Sequence, residues 1–162
     1  MIIASYAGTG KTTLANMYPE KYIDFVLMPY KYELEPDRDY GESGKANLDN
    51  ILRHDWPYNY VAAIQEVMKE EKHLLIPTDW HTLTFLCMNN IPYVLCYPQQ
   101  DAKEEYHQRF LDRGNNEYFI DVFIGHWDNF MTLFKQDTFG HHVILRPNEY
   151  LCDAIDRIKG AN

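Results

Sequence analysis

The chain has 162 residues, of which 46% are hydrophobic and 24% charged, a balance typical of one folded domain over residues 1–162 rather than a disordered chain. Its formal net charge of −9 disfavours a nucleic-acid partner, because proteins that hold many backbone phosphates usually carry a basic stripe. No apolar run approaches the roughly 20 residues of a membrane-spanning helix, so we expect no membrane partner.

Apolar runs and helical spacing alternate along the chain. Five runs predict strands at residues 2–5, 22–27, 74–78, 93–97 and 142–145. Six segments with apolar residues at helical spacing predict helices at residues 12–17, 58–69, 81–88, 101–113, 118–134 and 149–158. This alternation predicts an α/β fold with a five-stranded parallel sheet and helices on both faces.

Two of the predicted connections are longer than a simple crossover. The segments 28–73 and 98–141 exceed the usual length of a strand–helix–strand connection, which predicts helical insertions at residues 29–56 and 98–141. Ligands of parallel sheets bind outside the carboxyl ends of the strands. We therefore expect both insertions to lie over the ligand site.

The first predicted strand leads into the sequence SYAGTGKTT, residues 5–13. It matches the phosphate-binding pattern G-x-x-x-x-G-K-[ST] except that Ser5 stands at the first glycine, where a small residue still fits. In such a loop the backbone N–H groups surround the phosphates, the lysine reaches the β- and γ-phosphates, and the hydroxyl holds Mg²⁺. The residues predicted to bind ATP and its Mg²⁺ are Gly8, Thr9, Gly10, Lys11, Thr12 and Thr13. The alternative is a glycine-rich turn with a surface lysine.

The second insertion carries the sequence DAKEEYHQRFLDRG, residues 101–114. Asp101 with Glu104 predicts a helix start, and Gly114 predicts its end. Arg109 and Arg113 are four residues apart and share a helix face, so they could clamp a transferring phosphoryl group. The alternative is that Glu105 pairs with Arg109 and that Arg113 complements the helix C-terminus.

A phosphate loop at the first strand, an insertion after the second and R-x-x-x-R in an insertion after the fourth resemble the nucleoside monophosphate kinase group of P-loop kinases. The segment YPQQDAKEEYHQRFLDRGN is also similar to small phage and Gram-positive bacterial proteins assigned to P-loop kinases. The resemblance implies a three-layer P-loop NTPase fold with ATP on residues 8–12, Arg109 and Arg113 as lid arginines, and the phosphate acceptor on the first insertion. It also implies that Arg146 and Asn148, after strand five, flank the adenine.

Two acidic residues are candidates for the chemistry. The family usually places an acid directly after strand three, and here the sequence LLIPTDW displaces it to Asp79, which is the predicted Mg²⁺ ligand through water. The alternative is that Asp79 caps the helix starting near His81. Asp24 lies within YIDFV on the second strand, where an unpaired acid among apolar residues is costly. Several P-loop kinases have an acid near this point, so the resemblance implies that Asp24 orients or deprotonates the acceptor hydroxyl. The alternative is that Asp24 lies at the edge of the sheet and is exposed to water.

The first insertion is rich in aromatic and basic residues. Its candidates for stacking on a base are Tyr30, Tyr32, Tyr40, Trp56 and Tyr58, and those for meeting a phosphate are Lys31, Arg38, Lys45 and Arg53. The same residues could instead pack the loop and solvate it. Asp55–Trp56–Pro57 predicts a cap and proline start for the next helix, and the amphipathic segment 118–134 predicts lid packing or a dimer face.

Three isolated cysteines, Cys87, Cys96 and Cys152, lack metal-ligand spacing and predict reduced, buried thiols in a cytoplasmic protein. The predicted phosphate loop begins already at Ser5, so we expect no secretory signal. We expect a cytoplasmic monomer or homodimer that transfers the γ-phosphate of Mg²⁺-ATP to a nucleoside monophosphate. The alternatives are a kinase acting on a polynucleotide end or a small metabolite, an NTP-binding switch without acceptor, and a nucleotide binder without catalysis.

Overall fold

The computed structural model describes residues 1–33 and 51–161. Within these ranges the strands are β1 (Ile2–Ser5), β2 (Tyr22–Asp24), β3 (His73–Pro77), β4 (Tyr93–Pro98) and β5 (His141–Leu145). The α-helices are α1 (Lys11–Met17), α2 (Met28–Lys31), α3 (Tyr58–Val67), α4 (Trp80–Met88), α5 (Lys103–Asp112), α6 (Glu117–Ile120), α7 (Trp127–Gln136) and α8 (Ile155–Gly160). A 3₁₀ turn (Gln100–Ala102) precedes α5, and a π-helical turn (Asp121–Gly125) lies between α6 and α7.

The five strands form one sheet in the order β2-β3-β1-β4-β5, and every pairing is parallel. The α/β fold with a five-stranded parallel sheet is therefore confirmed. The connection that follows β1 leads to β2 on one side, whereas the connection that follows β3 leads to β4 on the other. The adjacent strands β1 and β3 thus flank the point where the topology diverges, and ligands of open α/β sheets bind at that point outside the carboxyl ends.

Helices cover both faces of the sheet and form an apolar cluster on each face with the strands. Alternate residues of β1 point to opposite faces and therefore belong to different clusters. Ile3 lies in one apolar cluster, which contains Leu14 of α1 and Ile158 of α8. Ile2 and Ala4 lie in the other, larger cluster, to which α3, α4, α5, α6 and α7 contribute. All of these side chains are buried.

The larger cluster joins the insertion after β4 to the start of the loop that follows β1. The ring of Tyr6 is fully buried and has five aromatic neighbours at centroid distances of 5.5 to 6.0 Å. These are Tyr106, Phe123, Trp127, Phe130 and Phe134. The Tyr6 hydroxyl also donates a hydrogen bond to the Phe123 carbonyl at 2.6 Å. The insertion predicted to form a lid therefore packs against the chain's own core in this structure.

Three predicted elements differ from the observed ones. Strand β2 ends at Asp24 instead of residue 27, because the chain turns into α2 with Pro29 in its first turn. The predicted helix 118–134 is divided into α6, the π turn and α7. The helix predicted from residue 149 begins only at Ile155, because the preceding residues form turns and the Leu151 N–H donates to the Thr9 carbonyl at 3.0 Å.

The cysteines are free but not uniformly buried. Cys96 is buried in β4, where desolvation raises the pKa of its thiol to about 12, and Cys152 is half-buried. Cys87 is exposed on α4, so the prediction of buried thiols is wrong for that residue. Its neighbours in sequence are apolar, but its position on the helix faces water. Among the residues described, no helix combines the length and apolar character needed to cross a membrane.

Candidate functional site

The loop between β1 and α1 depends on two glycines. Gly8 has φ +76° and Gly10 has φ +91°, values in the left-handed region that residues with a Cβ rarely adopt. A Cβ added to Gly8 would lie 2.8 Å from Phe110 Cε1, and one added to Gly10 would lie 3.2 Å from Tyr150 Cδ1. Both positions therefore favour glycine for backbone conformation, and Gly8 also lacks the space for a Cβ unless Phe110 moves.

Ser5 fits the position at which the motif has its first glycine. Its side chain is fully buried at the end of β1, and its hydroxyl accepts a hydrogen bond from Thr9 Oγ1 at 3.0 Å. Thr9 Oγ1 also lies 2.8 Å from the Tyr6 carbonyl. The hydrogen bond between Ser5 and Thr9 holds the two ends of the turn together. Serine in place of the first glycine therefore stabilises the loop.

We expect Gly8→Ala to lower the free energy of unfolding by about 2–3 kcal/mol, because it adds a steric conflict with Phe110 to the cost of a left-handed alanine. Gly114→Ala is the matched control: Gly114 has φ +69°, and an added Cβ would meet nothing within 4 Å. Gly114→Ala should lower the free energy of unfolding only by the cost of a left-handed alanine, about 1 kcal/mol. Chemical denaturation of both variants measures the difference. Equal losses would show that Phe110 does not restrict the loop at Gly8.

The ammonium of Lys11 folds back over the loop. Its Nζ donates to the carbonyls of Ser5 at 3.0 Å and Tyr6 at 3.2 Å. Burial lowers the pKa of Lys11 to about 8, the charge of Asp24 opposes this shift, and the charge of Arg113 adds to it. The ammonium is thus hydrogen-bonded to backbone carbonyls rather than to a carboxylate, and an anion entering the loop would favour its charged form.

Thr12 and Asp24 meet at the carboxyl edge of the sheet. Thr12 Oγ1 donates to Asp24 Oδ2 at 2.5 Å, which joins the first turn of α1 to the last residue of β2. Thr12 and Thr13 are exposed and Asp24 is half-buried. The structure therefore brings Asp24 next to Lys11 and Thr12.

Asp79 is fully engaged by neighbouring groups. It is the N-cap of α4 and accepts a hydrogen bond from the Thr82 N–H at 3.2 Å. Its Oδ2 also lies 2.7 Å from Lys31 Nζ, and its side chain is only 10% exposed. The helix-capping interpretation is therefore confirmed, while the magnesium role of Asp79 stays a prediction.

Arg109 is fixed between the loop after β1 and the loop after β5. Its guanidinium donates to the Gly8 carbonyl at 3.1 Å and the Glu149 carbonyl at 3.2 Å, and it pairs with Glu105 at 2.5 Å. It also lies between the rings of Tyr106 and Tyr150, at 4.6 and 3.9 Å from their centroids. The predicted alternative of a Glu105–Arg109 pair is thus confirmed.

Arg113 differs from Arg109 in its surroundings. It follows the last turn of α5 and is exposed. Its charge nevertheless contributes to lowering the pKa of Lys11, so the guanidinium lies within electrostatic range of that ammonium. The two arginines of the R-x-x-x-R pattern are therefore not equivalent, because one supports the loop and the other faces solvent beside it.

The segment after β5 packs against the opposite side of the loop. Arg146 and Asn148 are both exposed, and the Asn148 N–H donates to Glu105 at 3.0 Å. Glu149 pairs with Arg157 and accepts from the Arg146 N–H at 2.7 Å. Tyr150 of the same segment lies against Gly10, and the Leu151 N–H donates to the Thr9 carbonyl. The segment therefore contacts the loop after β1, while adenine binding by Arg146 and Asn148 stays a prediction.

The acceptor-side candidates are mostly engaged in packing. Tyr30 contacts the ring of Tyr60, and Trp56 is buried, whereas Tyr58 is 66% exposed. Lys31 pairs with Asp79, Arg53 pairs with Asp55, and Tyr32 is half-buried. Asp55 does not cap α3, which follows Pro57 without a side-chain cap. Arg38, Tyr40 and Lys45 lie outside the described residues.

Sequence reasoning missed three contributors to this site. Tyr6 joins the start of the loop to the aromatic cluster, and Tyr150 packs against Gly10. Glu149 stabilises the segment after β5 by accepting a hydrogen bond from the Arg146 N–H. Tyr6 occupies a variable position of the motif, so the pattern gives no signal for it. The apolar environment of the loop was predictable only from the aromatic density of residues 118–134.

Three or more His, Cys, Asp or Glu side chains do not converge anywhere within residues 1–33 and 51–161. An Mg²⁺ ion bound there would need ligands from a phosphate and water in addition to the protein, which is its usual mode of binding. The Thr12 hydroxyl and the Asp24 carboxylate are oxygen donors of the kind that this ion prefers.

Comparison with known proteins gives no assignment. No protein-family model matches the chain, and no curated protein matches it. We therefore base the functional conclusion on the geometry: a loop turned by two left-handed glycines, a lysine folded over it, and a hydroxyl–carboxylate pair beside it.

Proposed function

We propose that this chain is an Mg²⁺-ATP-dependent phosphotransferase with a P-loop NTPase fold, and that its acceptor is a nucleoside monophosphate or a similar small molecule. The observation that carries the proposal is the conformation of the loop after β1, where Gly8 and Gly10 are left-handed and the Lys11 ammonium lies over the loop carbonyls. Its position beside the switch point of the sheet supports the same reading.

The loop would bind the triphosphate of ATP. Loop N–H groups and the Lys11 ammonium would hold the β- and γ-phosphates, and the Thr12 hydroxyl would hold the metal ion. Mg²⁺, when bound, supplies charge neutralisation on the phosphate oxygens. Lys11 would exchange two carbonyl contacts for phosphate contacts, which restores the stability of its charged form.

The second insertion would complete the charge environment. Arg113 is exposed near Lys11, so it is free to reach the transferring group and stabilise its charge. Arg109 would keep the loop in its binding conformation through Gly8. Positioning and electrostatic stabilisation of this kind supply most of the catalysis in phosphoryl transfer.

Calorimetric titration with ATP tests the binding half of the proposal. We expect saturable binding that inorganic tripolyphosphate competes away, because the loop recognises phosphate oxygens rather than the base. Adenosine, which lacks phosphate, is the matched control and should compete weakly. Absence of saturable binding at millimolar ATP would contradict the proposal.

The pH dependence of ATP binding should reflect Lys11. Its pKa of about 8 in the free protein means that it is increasingly neutral above that pH, so binding must then take up a proton. Affinity should vary little below pH 8 and fall above it, approaching about tenfold per pH unit. Titrations between about pH 7 and about pH 9.5 measure the slope. In Lys11→Ala the affinity for ATP should no longer depend on pH in this range. An unchanged pH dependence in that variant would assign the titration to another group.

A further inference from the structure

We infer that Asp24, at the end of β2, is the acidic positioning residue for the metal ion of the proposed Mg²⁺-ATP site, and that Asp79 after β3 is not. This inference rests on the proposed function, because it concerns the metal that accompanies the nucleotide. It changes the roles expected from the sequence, in which Asp79 serves the metal and Asp24 serves the acceptor.

The hydrogen bond between Thr12 and Asp24 orients the hydroxyl. Thr12 Oγ1 has one proton and donates it to Asp24 Oδ2 at 2.5 Å. The lone pairs of Oγ1 therefore point away from the carboxylate and are available to a cation. A carboxylate that accepts a proton from a ligand in this way fixes the orientation of the ligand and increases its basicity.

The two side chains are also accessible and have suitable chemistry. Thr12 is exposed and Asp24 is half-buried, so neither is closed off by packing. Both present oxygen, which hard divalent cations prefer over nitrogen or sulfur. Mg²⁺ usually takes one or two protein oxygens and completes its coordination shell with phosphate and water. A single hydroxyl–carboxylate pair is therefore enough protein for such a site.

Asp79 lacks the freedom for this role. One of its oxygens accepts from the Thr82 N–H and the other pairs with Lys31 Nζ at 2.7 Å. Its side chain is 10% exposed. Reaching a metal ion would leave Lys31 without its partner and α4 without its cap, and each change has a cost in stability.

The position of Asp24 also argues against a role on the acceptor side. Its partner is Thr12 of the phosphate loop, and its charge raises the pKa of Lys11, the lysine expected on the β- and γ-phosphates. Asp24 therefore acts on the donor phosphates. Removing its charge should have opposite effects on the metal and on the metal-free nucleotide, which a purely structural role would not produce.

The test uses Mn²⁺ as a paramagnetic probe with ADP and the full chain. We expect Asp24→Asn to weaken Mn²⁺ binding in the ADP complex by about 10- to 100-fold. The same variant should bind metal-free ADP at least as tightly as wild type, because a negative charge near the phosphates has been removed. Asp79→Asn is the matched control: it should change Mn²⁺ affinity less than about twofold and lower the Tm by a few degrees.

Thr12→Val provides a second variant that removes the hydroxyl without altering Asp24. It should weaken Mn²⁺ binding to a similar extent, and the double variant should lose little more, because the two residues act through one hydrogen bond. Unchanged Mn²⁺ affinity in Asp24→Asn, together with a large loss of affinity in Asp79→Asn, would overturn the inference. If wild type binds ADP in the same experiment, the proposed function is still supported. Failure of wild type to bind ADP would overturn both.

Discussion

Lys11→Ala should lower kcat for phosphoryl transfer by at least about 10²-fold, because the transition state loses a charge-assisted contact that water cannot replace. The fold should survive the change. Within residues 1–33 and 51–161, the hydrogen bonds of the Lys11 ammonium go to the carbonyls of Ser5 and Tyr6, and its removal also eliminates a desolvated ammonium. The measurements are steady-state ADP formation and the Tm of the same preparation.

Lys69→Ala is the control for Lys11→Ala. Lys69 is 69% exposed and pairs with Glu66 on the surface, so its removal should leave kcat within about twofold and stability within about 0.5 kcal/mol. Near-wild-type turnover in Lys11→Ala would rule out the phosphate-binding role of the loop. A Tm that falls far more in Lys11→Ala than in the control would assign Lys11 a structural role instead.

Arg113→Ala and Arg109→Ala should have different kinetic effects. Arg113 is exposed beside the loop and is the arginine free to reach a transferring group. Its removal should lower kcat by about 10²- to 10³-fold with little change in ATP affinity, as expected for a contact made mainly in the transition state. Arg109 supports the Gly8 carbonyl and packs between two tyrosine rings. Its removal should weaken ATP binding and also lower the Tm.

Two further variants sharpen this comparison. Arg113→Lys keeps the charge and should recover part of kcat, whereas Arg109→Lys should recover little, because lysine cannot make the planar, multidentate contacts of a guanidinium. Lys21→Ala removes an exposed cation that precedes β2 and controls for a general loss of positive charge. Equal effects of Arg109→Ala and Arg113→Ala on kcat, with ATP affinity unchanged in both, would contradict the division of roles.

The sequence was sufficient to predict the parts of the fold that follow from local pattern. Strand β1 was predicted at its observed bounds, because three apolar residues and the small Ser5 precede a glycine-rich turn, and both faces of the strand are buried. The parallel sheet followed from the alternation of strands and helices. The end of β2 was not predictable in this way, because the apolar residues after Asp24 continue the strand pattern while the chain turns into α2.

The candidate site was predictable as a set of residue types but not as a set of contacts. The pattern located Lys11 and Thr12, yet the contact of Arg109 with Gly8 spans 101 residues and that of Lys31 with Asp79 spans 48. Such pairings depend on how separate elements pack, and spacing within one helix carries no information about them. The same reason explains why Arg109 and Arg113, which share a helix face, have different environments.

The most direct measurement is the transfer of labelled γ-phosphate from Mg²⁺-ATP to each common ribo- and deoxynucleoside monophosphate, with Lys11→Ala as the blank. We expect one or two monophosphates to stimulate ADP formation strongly and to yield the matching labelled diphosphate. Slow ADP release that no acceptor stimulates, with all label recovered as inorganic phosphate, would contradict phosphotransfer and indicate an NTP-binding switch.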